Sequence, residues 1–510
     1  MTHLQKPGGA GAAEVLEPTG REDVGHRVPR EAESAAELGR RAVRAGVALG
    51  TRQVLVQGSN VLGGVFLARL LTPAEFGIYG VFLFFLTFLI AFGDVGLGAS
   101  LVRQREEPST EDLRSIFTVQ QALVGFALII TWIAAPMIAE WYERPASEAW
   151  LFRLAALSLL FTSLQSIATI RLERQLAFDR LAVSEVAQAL VFNGIAVALA
   201  WRGAGAVGVA VALVFRSAMG AVLVNVISPW PIGWRWDRER VRAHLRFGLP
   251  YQGASFVSLA KDSITPLLVG ALLGAAEVGY INWAQLLAAY PVLVLMILQR
   301  IYLPAFARMQ HDPESLGRFT EGVLRTTHSL CAPLAVFTLV MAEPITRIVF
   351  GAKWLPALPI FYLCWVANLF VPTSGPLAAL LNALGEAWLG FRFAVLWAVG
   401  TWVFGAPSIL WLGAVGYGVA NVGVQLTNLI LFRAVQRRVS FRILPAMLPP
   451  WGAALLAGGV VWSGGRFLPP ASLAALVAFG LVGLAAYALF YAAIAPAEVR
   501  GVWLWLRDRV

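Results

Sequence analysis

The stretch LARLLTPAEFGIY, Leu67 to Tyr79, has an echo further along the chain in LVGALLGAAEVGY, Leu268 to Tyr280. A shift of 202 residues places Glu75 on Glu277 and Gly77 on Gly279, and a tyrosine closes both phrases. The same shift carries Gly46 onto Gly248 and Asn60 onto Asp262. Further on, WRGAGAVGVA (Trp201–Ala210) falls on WLGAVGYGVA (Trp411–Ala420), and APMIAEWY (Ala135–Tyr142) resembles AEPITRIVF (Ala342–Phe350) around Pro136 and Pro344. The chain is therefore read as an internal duplication, and the opening phrase as the hairpin between the first two elements of each copy.

Composition says what those elements are. Apolar residues make up 58% of the 510 and charged residues 14%, with a mean hydropathy of +0.69. A soluble chain carries roughly a quarter charged residues. The 18 tryptophans suit the two membrane interfaces, where amphipathic rings settle. Apolar runs long enough to cross a bilayer as helix lie near 46–68, 77–101, 115–139, 149–170, 181–200, 206–228, 248–270, 278–302, 320–342, 356–381, 389–410, 414–434, 446–464 and 471–495, about fourteen in all. The fold class expected is an all-α integral membrane protein. Each copy holds six helices, an even number, so both enter from the same side. The two six-helix lobes are then parallel repeats, a transporter plan, followed by a C-terminal helix pair.

The divisions expected are a disordered cytoplasmic tail over 1–45, an N-terminal lobe over 46–230 and a basic linker over 231–247. A C-terminal lobe over 248–435 follows, and the helix pair with a short cytoplasmic tail occupies 436–510. The tail lacks the apolar run of a secretory signal. Loop charge supports the count: Arg103, Arg105 and Arg114, then Arg171, Arg174 and Arg180, then Arg235 to Arg246, alternate with loops holding about one cation each, such as Arg144 and Lys353. The positive-inside rule puts the arginine-rich loops and both termini in the cytoplasm, across the cell membrane.

The net charge of +10 does not gather into a nucleic-acid face, so no nucleic-acid partner is expected. Cys331 and Cys364 both lie in apolar runs, and the five histidines form no ligand set, so neither a disulfide framework nor a metal site is implied. Gly203, Gly205 and Gly208 spell a phosphate-loop pattern but follow an apolar helix rather than a strand, and read as a tight turn with close packing.

Polar residues inside spans are costly and tend to face an interior cavity. The first helix carries Gln53, Gln57 and Asn60 at helical spacing with Arg52 alongside. The seventh carries Tyr251, Ser255, Ser258, Asp262 and Thr265 with Lys261 alongside. The candidate substrate-cavity set is Arg52, Gln53, Asn60, Arg216, Ser258, Lys261, Asp262 and Arg300. Lys261 and Asp262 are sequence neighbours whose side chains diverge by about 100° on a helix and need not pair. Glu185 is a candidate partner for Arg216. Asp94 reads as a capping or pairing group, and His328 as a packed, hydrogen-bonded histidine.

LTPAEFGIY (Leu71–Tyr79), GDVGLG (Gly93–Gly98) and Leu101-Val102-Arg103, with the second-copy EVGY, resemble the polysaccharide-biosynthesis flippases of the multidrug/oligosaccharidyl-lipid/polysaccharide exporter superfamily. The resemblance covers about residues 46–495. It implies a MATE-like, V-shaped, non-enzymatic carrier that moves undecaprenyl-diphosphate-linked glycans across the cytoplasmic membrane by alternating access, for cell-surface or extracellular polysaccharide. It implies membrane lipids and, as partners, a polymerase and glycosyltransferases. No cofactor is implied, and proton or sodium coupling stays an option for the driving force. Two other classes stand beside it: a cation-coupled drug antiporter of the sister branch, and a membrane-embedded polymerase or glycosyltransferase, which the short outer loops disfavour.

Overall fold

The computed structural model describes Gln53, residues 55–104 and residues 106–496, the side chains at 297, 300 and 301 excepted. The expected tail over 1–45, Arg52 and the segment after residue 496 lie outside the described residues. Every regular element among those described is helical. In chain order they are α1 (55–70), α2 (Pro73–Asp94), α3 (Leu97–Arg103), α4 (Thr110–Trp141), α5 (Trp150–Arg174), α6 (Phe178–Trp201), α7 (Gly205–Ile227), α8 (Arg238–Asp262), α9 (Gly270–Ala289) and α10 (Leu295–Met309). The remainder are α11 (Pro313–Val340), α12 (Ala342–Ile345), α13 (Leu358–Asn368), α14 (Val371–Ala383), α15 (Ala387–Leu412), α16 (Ala414–Leu426), α17 (Asn428–Gln436), α18 (Leu444–Phe467) and α19 (Leu473–Ile494).

Eleven helical runs among the described residues are long and apolar enough to cross a membrane. They become twelve if Ala352–Asn368 and Val371–Ala383, bent by 41°, are one span. The count of fourteen is not reached on that measure. The shortfall sits in α1, whose start is outside the described residues, and in Arg238–Val292, a single run of 55 residues. That run breaks at Gly274, whose φ of 81° and ψ of 178° interrupt the helix. The seventh helix also starts earlier than expected. Asp237 caps it, accepting from the Glu239 and Arg240 amides, so ten residues assigned to the basic linker are helix. Those amide bonds hold the Asp237 carboxyl below its ordinary range.

Helices α2 and α4–α7 pack on one another as a first bundle, α9–α11 with α13–α17 form a second, and α18–α19 lean on α11. Helix α8 belongs to both. Its first half rests on α3 and α4, where Arg240 bridges Asp112 at 2.5 Å and His244 Nδ1 sits 2.9 Å from Ser100 Oγ, and near its middle Gln252 donates to the Ala91 carbonyl of α2 at 3.3 Å. Its second half meets α15, where the Trp402 indole donates to the Ala260 carbonyl at 2.6 Å.

The duplicated phrase turns out to be mostly helix rather than hairpin loop. Residues 71 and 72 make the turn, and Pro73 starts α2. Thr72 accepts from the Glu75 amide while Glu75 Oε2 accepts from the Thr72 amide at 2.8 Å, a reciprocal capping box. Gly77 and Gly279 then face each other where α2 crosses α9. A Cβ on Gly77 would lie 1.9 Å from the Ala275 carbonyl oxygen, and one on Gly279 1.9 Å from that of Pro73. The repeat is spelled twice because each copy supplies one side of this crossing. Above it, Trp354 is fully buried, stacked on Trp283 at 5.4 Å and edge-on to Phe76, with its indole donating to the Ala68 carbonyl. Lys353 donates to the carbonyls of Arg69 and Leu71, and Arg69 donates to those of Ile348 and Val349. Each copy thus caps backbone carbonyls of the other, and this face is closed by carbonyl capping and aromatic packing.

Candidate functional site: two polar cavities

The sequence-selected residues do not form one site. Lys261 and Asp262 line a cavity of about 280 Å³ inside the second bundle, walled by Trp397, Thr401, Tyr417, Asn421 and Gln425. Asp262 and Tyr417 also line a second space of about 160 Å³ at the α2–α9 crossing, with Gly80, Asn282 and Gln285. The two residues therefore stand between the bundle interior and the midline. Gln285 donates to the Tyr417 hydroxyl across that boundary.

Lys261 Nζ meets Asp262 Oδ1 at 2.5 Å, so the neighbours do pair, which helical divergence left open. They sit at the end of α8, and the stretch that follows, Ile264–Val269, is a wider π-helical turn. The long lysine side chain bends back over the shorter aspartate. Both stay accessible, at 39% and 56% side-chain exposure, which is how a pair lining an open cavity differs from one sealed in a core.

Of the other selected residues, two come together at the first bundle. Asn60 and Arg216 line a cavity of about 590 Å³ together with Asp94, Gln165, Glu173, Glu185 and Gln188. The Arg216 guanidinium lies 5.8 Å over the Phe192 ring, and Asn193 donates to Asn60 Oδ1 at 3.3 Å. Asp94 accepts from the Gly96 and Gly98 amides and from Gln120 Nε2 at 2.9 Å, the capping role read for it. Gln53 is half-buried ahead of α1, and Ser258 is exposed, its hydroxyl directed to the Ala254 carbonyl. Neither lines these cavities. Arg52 is outside the described residues, as is the Arg300 side chain. His328 is buried between Thr373 and Trp451 as a hydrogen-bonded core residue.

Sequence reasoning missed Tyr417, Asn421 and Gln425, although their spacing of four residues marks one face of α16. The same spacing marks Gln165, Thr169 and Glu173 on α5. A fourth space, about 150 Å³ and apolar, runs between α11, α18 and α19 along Phe337, Ala457, Gly458 and Gly480.

A helical protein with this many membrane-length apolar runs and polar cavities in two packed bundles is a multi-pass membrane protein. The family model for polysaccharide biosynthesis proteins matches residues 66–359, more than half the chain, and the protein belongs to that family. It is 23% identical over 385 residues to the lipopolysaccharide biosynthesis protein WzxC of Escherichia coli, covering 74% of this chain and 77% of that one. It is 26% identical over 356 residues to the succinoglycan biosynthesis transport protein ExoT of Rhizobium meliloti, covering 70% of each. Among solved structures the fold is similar to the lipid II flippase MurJ in an inward closed conformation, with a TM-score of 0.74, 15% identity, and coverage of 90% of this chain and 100% of that one. A multidrug resistance MATE family transporter in an inward-facing conformation matches at 0.59, with 15% identity and coverage of 78% and 98%. The fold is MATE-like.

Proposed function

We propose that the protein is a flippase that carries polyprenyl-diphosphate-linked oligosaccharides from the cytoplasmic to the outer leaflet of the cell membrane, by alternating access between its two bundles and without covalent chemistry. The observation that carries this reading is the Lys261–Asp262 pair, exposed to a cavity that abuts the crossing of the repeats. A diphosphate needs a fixed cation away from bulk water, where charge interactions are stronger than at a surface. Lys261 supplies it, and Asp262 holds its ammonium until phosphate competes for it. The apolar space along α11, α18 and α19 offers the prenyl chain a route. Membership of the polysaccharide biosynthesis family supports the glycan as cargo. In this reading the arginine-rich face and both termini are cytoplasmic, with glycosyltransferases supplying the substrate and a polymerase consuming it.

The test is reconstitution in vesicles with a lipid-linked sugar accessible to an outside probe. Lys261→Glu is expected to slow flipping at least tenfold, consistent with the effect of like-charge juxtaposition on recognition. Lys261→Arg keeps part of the rate, since either cation contacts phosphate. Flipping by Lys261→Glu at the wild-type rate overturns the reading. A cation-coupled drug antiporter is the second reading, favoured by the carboxylates of the first-bundle cavity. Drug efflux driven by a proton or sodium gradient, with no glycan movement, would select it.

A further inference from the structure

We infer that the segment joining the two copies is an interfacial anchor with a headgroup site. Ile232, Trp234 and Trp236 enter the lipid at the arginine-rich face, and Arg238, Arg242 and Arg246 beside them bind anionic phospholipid headgroups. The inference concerns the link between the bundles rather than the cavities, and stands whether or not the protein is a flippase.

Residues 228–237, between α7 and α8, form no regular element yet are fixed along their length. Arg171 and Arg114 donate to the carbonyls of Pro229 and Pro231. Trp230 is buried, its ring 5.2 Å from that of Phe117 and its indole donating to Asn225 Oδ1 at 3.2 Å. From there on, alternate positions part company. Gly233 lies against Arg114, whose Nε would be 2.8 Å from a Cβ there. The Arg235 amide donates to Thr118 Oγ1 at 2.9 Å, its guanidinium meets Glu111 at 2.7 Å, and Asp237 caps α8. Between them Ile232, Trp234 and Trp236 stand out, 58%, 71% and 66% exposed. The segment is fastened through its odd-numbered residues and holds its large apolar side chains outward at the even ones.

The contacts with α4 fix the depth. Phe117 and Thr118 stand at the start of the apolar run that opens near residue 115, and the Trp234 ring is 5.6 Å from that of Phe117. Glu111 and Asp112, earlier on the same helix, are charged. Trp234 is therefore placed where hydrocarbon gives way to headgroups, the level that indole rings prefer. Exposed apolar neighbours rimmed by charge mark an interaction surface, and at this level the partner is lipid.

Charge names the kind of lipid. Of the five arginines from Arg235 to Arg246, Arg235 and Arg240 are engaged by Glu111, Asp112 and Asp237. Arg238, Arg242 and Arg246 belong to none of these pairs and are exposed. They recur every four residues on the side of α8 turned away from His244, which meets α3. Guanidinium groups suit phosphate oxygens, which they can grip with two parallel bonds. Each basic residue near an anionic surface adds about fivefold to its attraction. A zwitterionic headgroup offers no such gain, so this surface selects anionic phospholipid.

Two measurements on the full-length protein test this. In nanodiscs, a fluorophore attached to Trp234→Cys reports depth, Cys331 and Cys364 being buried. Quenching by phospholipids brominated high on the acyl chain, and little by iodide in the buffer, is expected. Quenching by iodide alone overturns the anchor; Trp236→Cys serves should the first variant fold poorly. In detergent, the protein is offered equal amounts of phosphatidylglycerol and phosphatidylcholine, and the lipids retained are counted by native mass spectrometry. Wild type is expected to retain phosphatidylglycerol at least about fivefold over phosphatidylcholine. The triple variant Arg238→Gln/Arg242→Gln/Arg246→Gln should lose that preference, and Arg242→Gln alone should lower it. Arg466→Gln, on α18, removes the same charge elsewhere and should leave it unchanged. Equal retention of the two lipids by wild type, a preference unmoved in the α8 variants, or one lost equally in Arg466→Gln overturns the headgroup site. Inorganic pyrophosphate that displaces the lipid, where sodium chloride at equal ionic strength does not, also overturns it and assigns these arginines to a soluble phosphate.

Discussion

The two copies of the repeated phrase diverge in how they start their helices and agree in how they cross. In the first, Thr72 and Glu75 close a capping box ahead of α2. In the second, the equivalent position is Gly274 at φ 81°, with no side chain to cap anything. Gly77 and Gly279, by contrast, are both kept, each with its Cα against the other helix's backbone. Helix initiation has several chemical solutions, so the copies were free to differ there. A crossing with carbonyl oxygens 1.9 Å from a would-be Cβ has one, the absence of a side chain. Beyond the crossing the symmetry lapses usefully: Gly80 leaves room for Asn282, whose Nδ2 would be 1.9 Å from a Cβ at 80, and Asn282 lines the midline space beside Asp262.

The hardest way to break this arrangement is to remove what lies above the crossing. Trp354, from the second copy, is fully buried against Phe76 and Ala68 of the first and Trp283 of its own. Trp354→Ala should cost about 3–5 kcal/mol, as truncation of a buried aromatic does, read as a lowered melting temperature in detergent. It should also admit a maleimide to a cysteine placed at Asn282. Retention of wild-type stability would mean that the copies are joined elsewhere.

A smaller effect sharpens the glycine comparison. Gly77→Ala and Gly279→Ala each drive a methyl into a carbonyl and should cost about 1–3 kcal/mol, the range for overpacking. Gly253, on α8, has nothing within 4 Å of its Cβ position. Gly253→Ala should raise stability by about 0.5–1 kcal/mol through helix propensity alone. Equal responses at all three positions would show that the repeat glycines are kept for some reason other than close approach.

How much of this was legible beforehand follows from what a duplication reveals. The 202-residue shift identified Gly77 and Gly279 as equivalents, but equivalence does not say which residues face the axis. Their contact became visible only with the helices placed. Lys353 read as a lone loop cation, and Arg69 drew no reading at all, because their partners are backbone carbonyls, which leave no trace in composition. The candidate site was half legible. Polar stripes on the first and seventh helices pointed to Asn60 and Asp262, yet one list joined residues that the fold sends to two cavities. Arg216 looked like a fellow of Lys261 by charge, with Glu185 as its candidate partner, and packing adds Glu173 and Asp94 to that company.

The least perturbing test sets pattern against conformation at the second helix start. Gly274→Thr would write Thr-x-x-Glu, since Glu277 stands three residues on, and so complete the capping-box pattern of the first copy. By pattern this should stabilise by about 1 kcal/mol, the usual worth of an N-cap side chain. The backbone argues the reverse. Thr72 caps from φ −68° and ψ 160°, whereas Gly274 holds φ 81° and ψ 178°, a region that costs a branched residue about 1–3 kcal/mol. A Cβ there would also lie 2.9 Å from the Glu143 carboxylate. The strain meets or exceeds the gain, so Gly274→Thr is expected to melt no higher than wild type and in most of that range lower, while Thr72→Ala loses about 1 kcal/mol. A Gly274→Thr variant that melts clearly above wild type would mean the second turn can relax into the geometry of the first. The difference between the copies would then be an accident of sequence rather than a consequence of the break at Gly274 within α9.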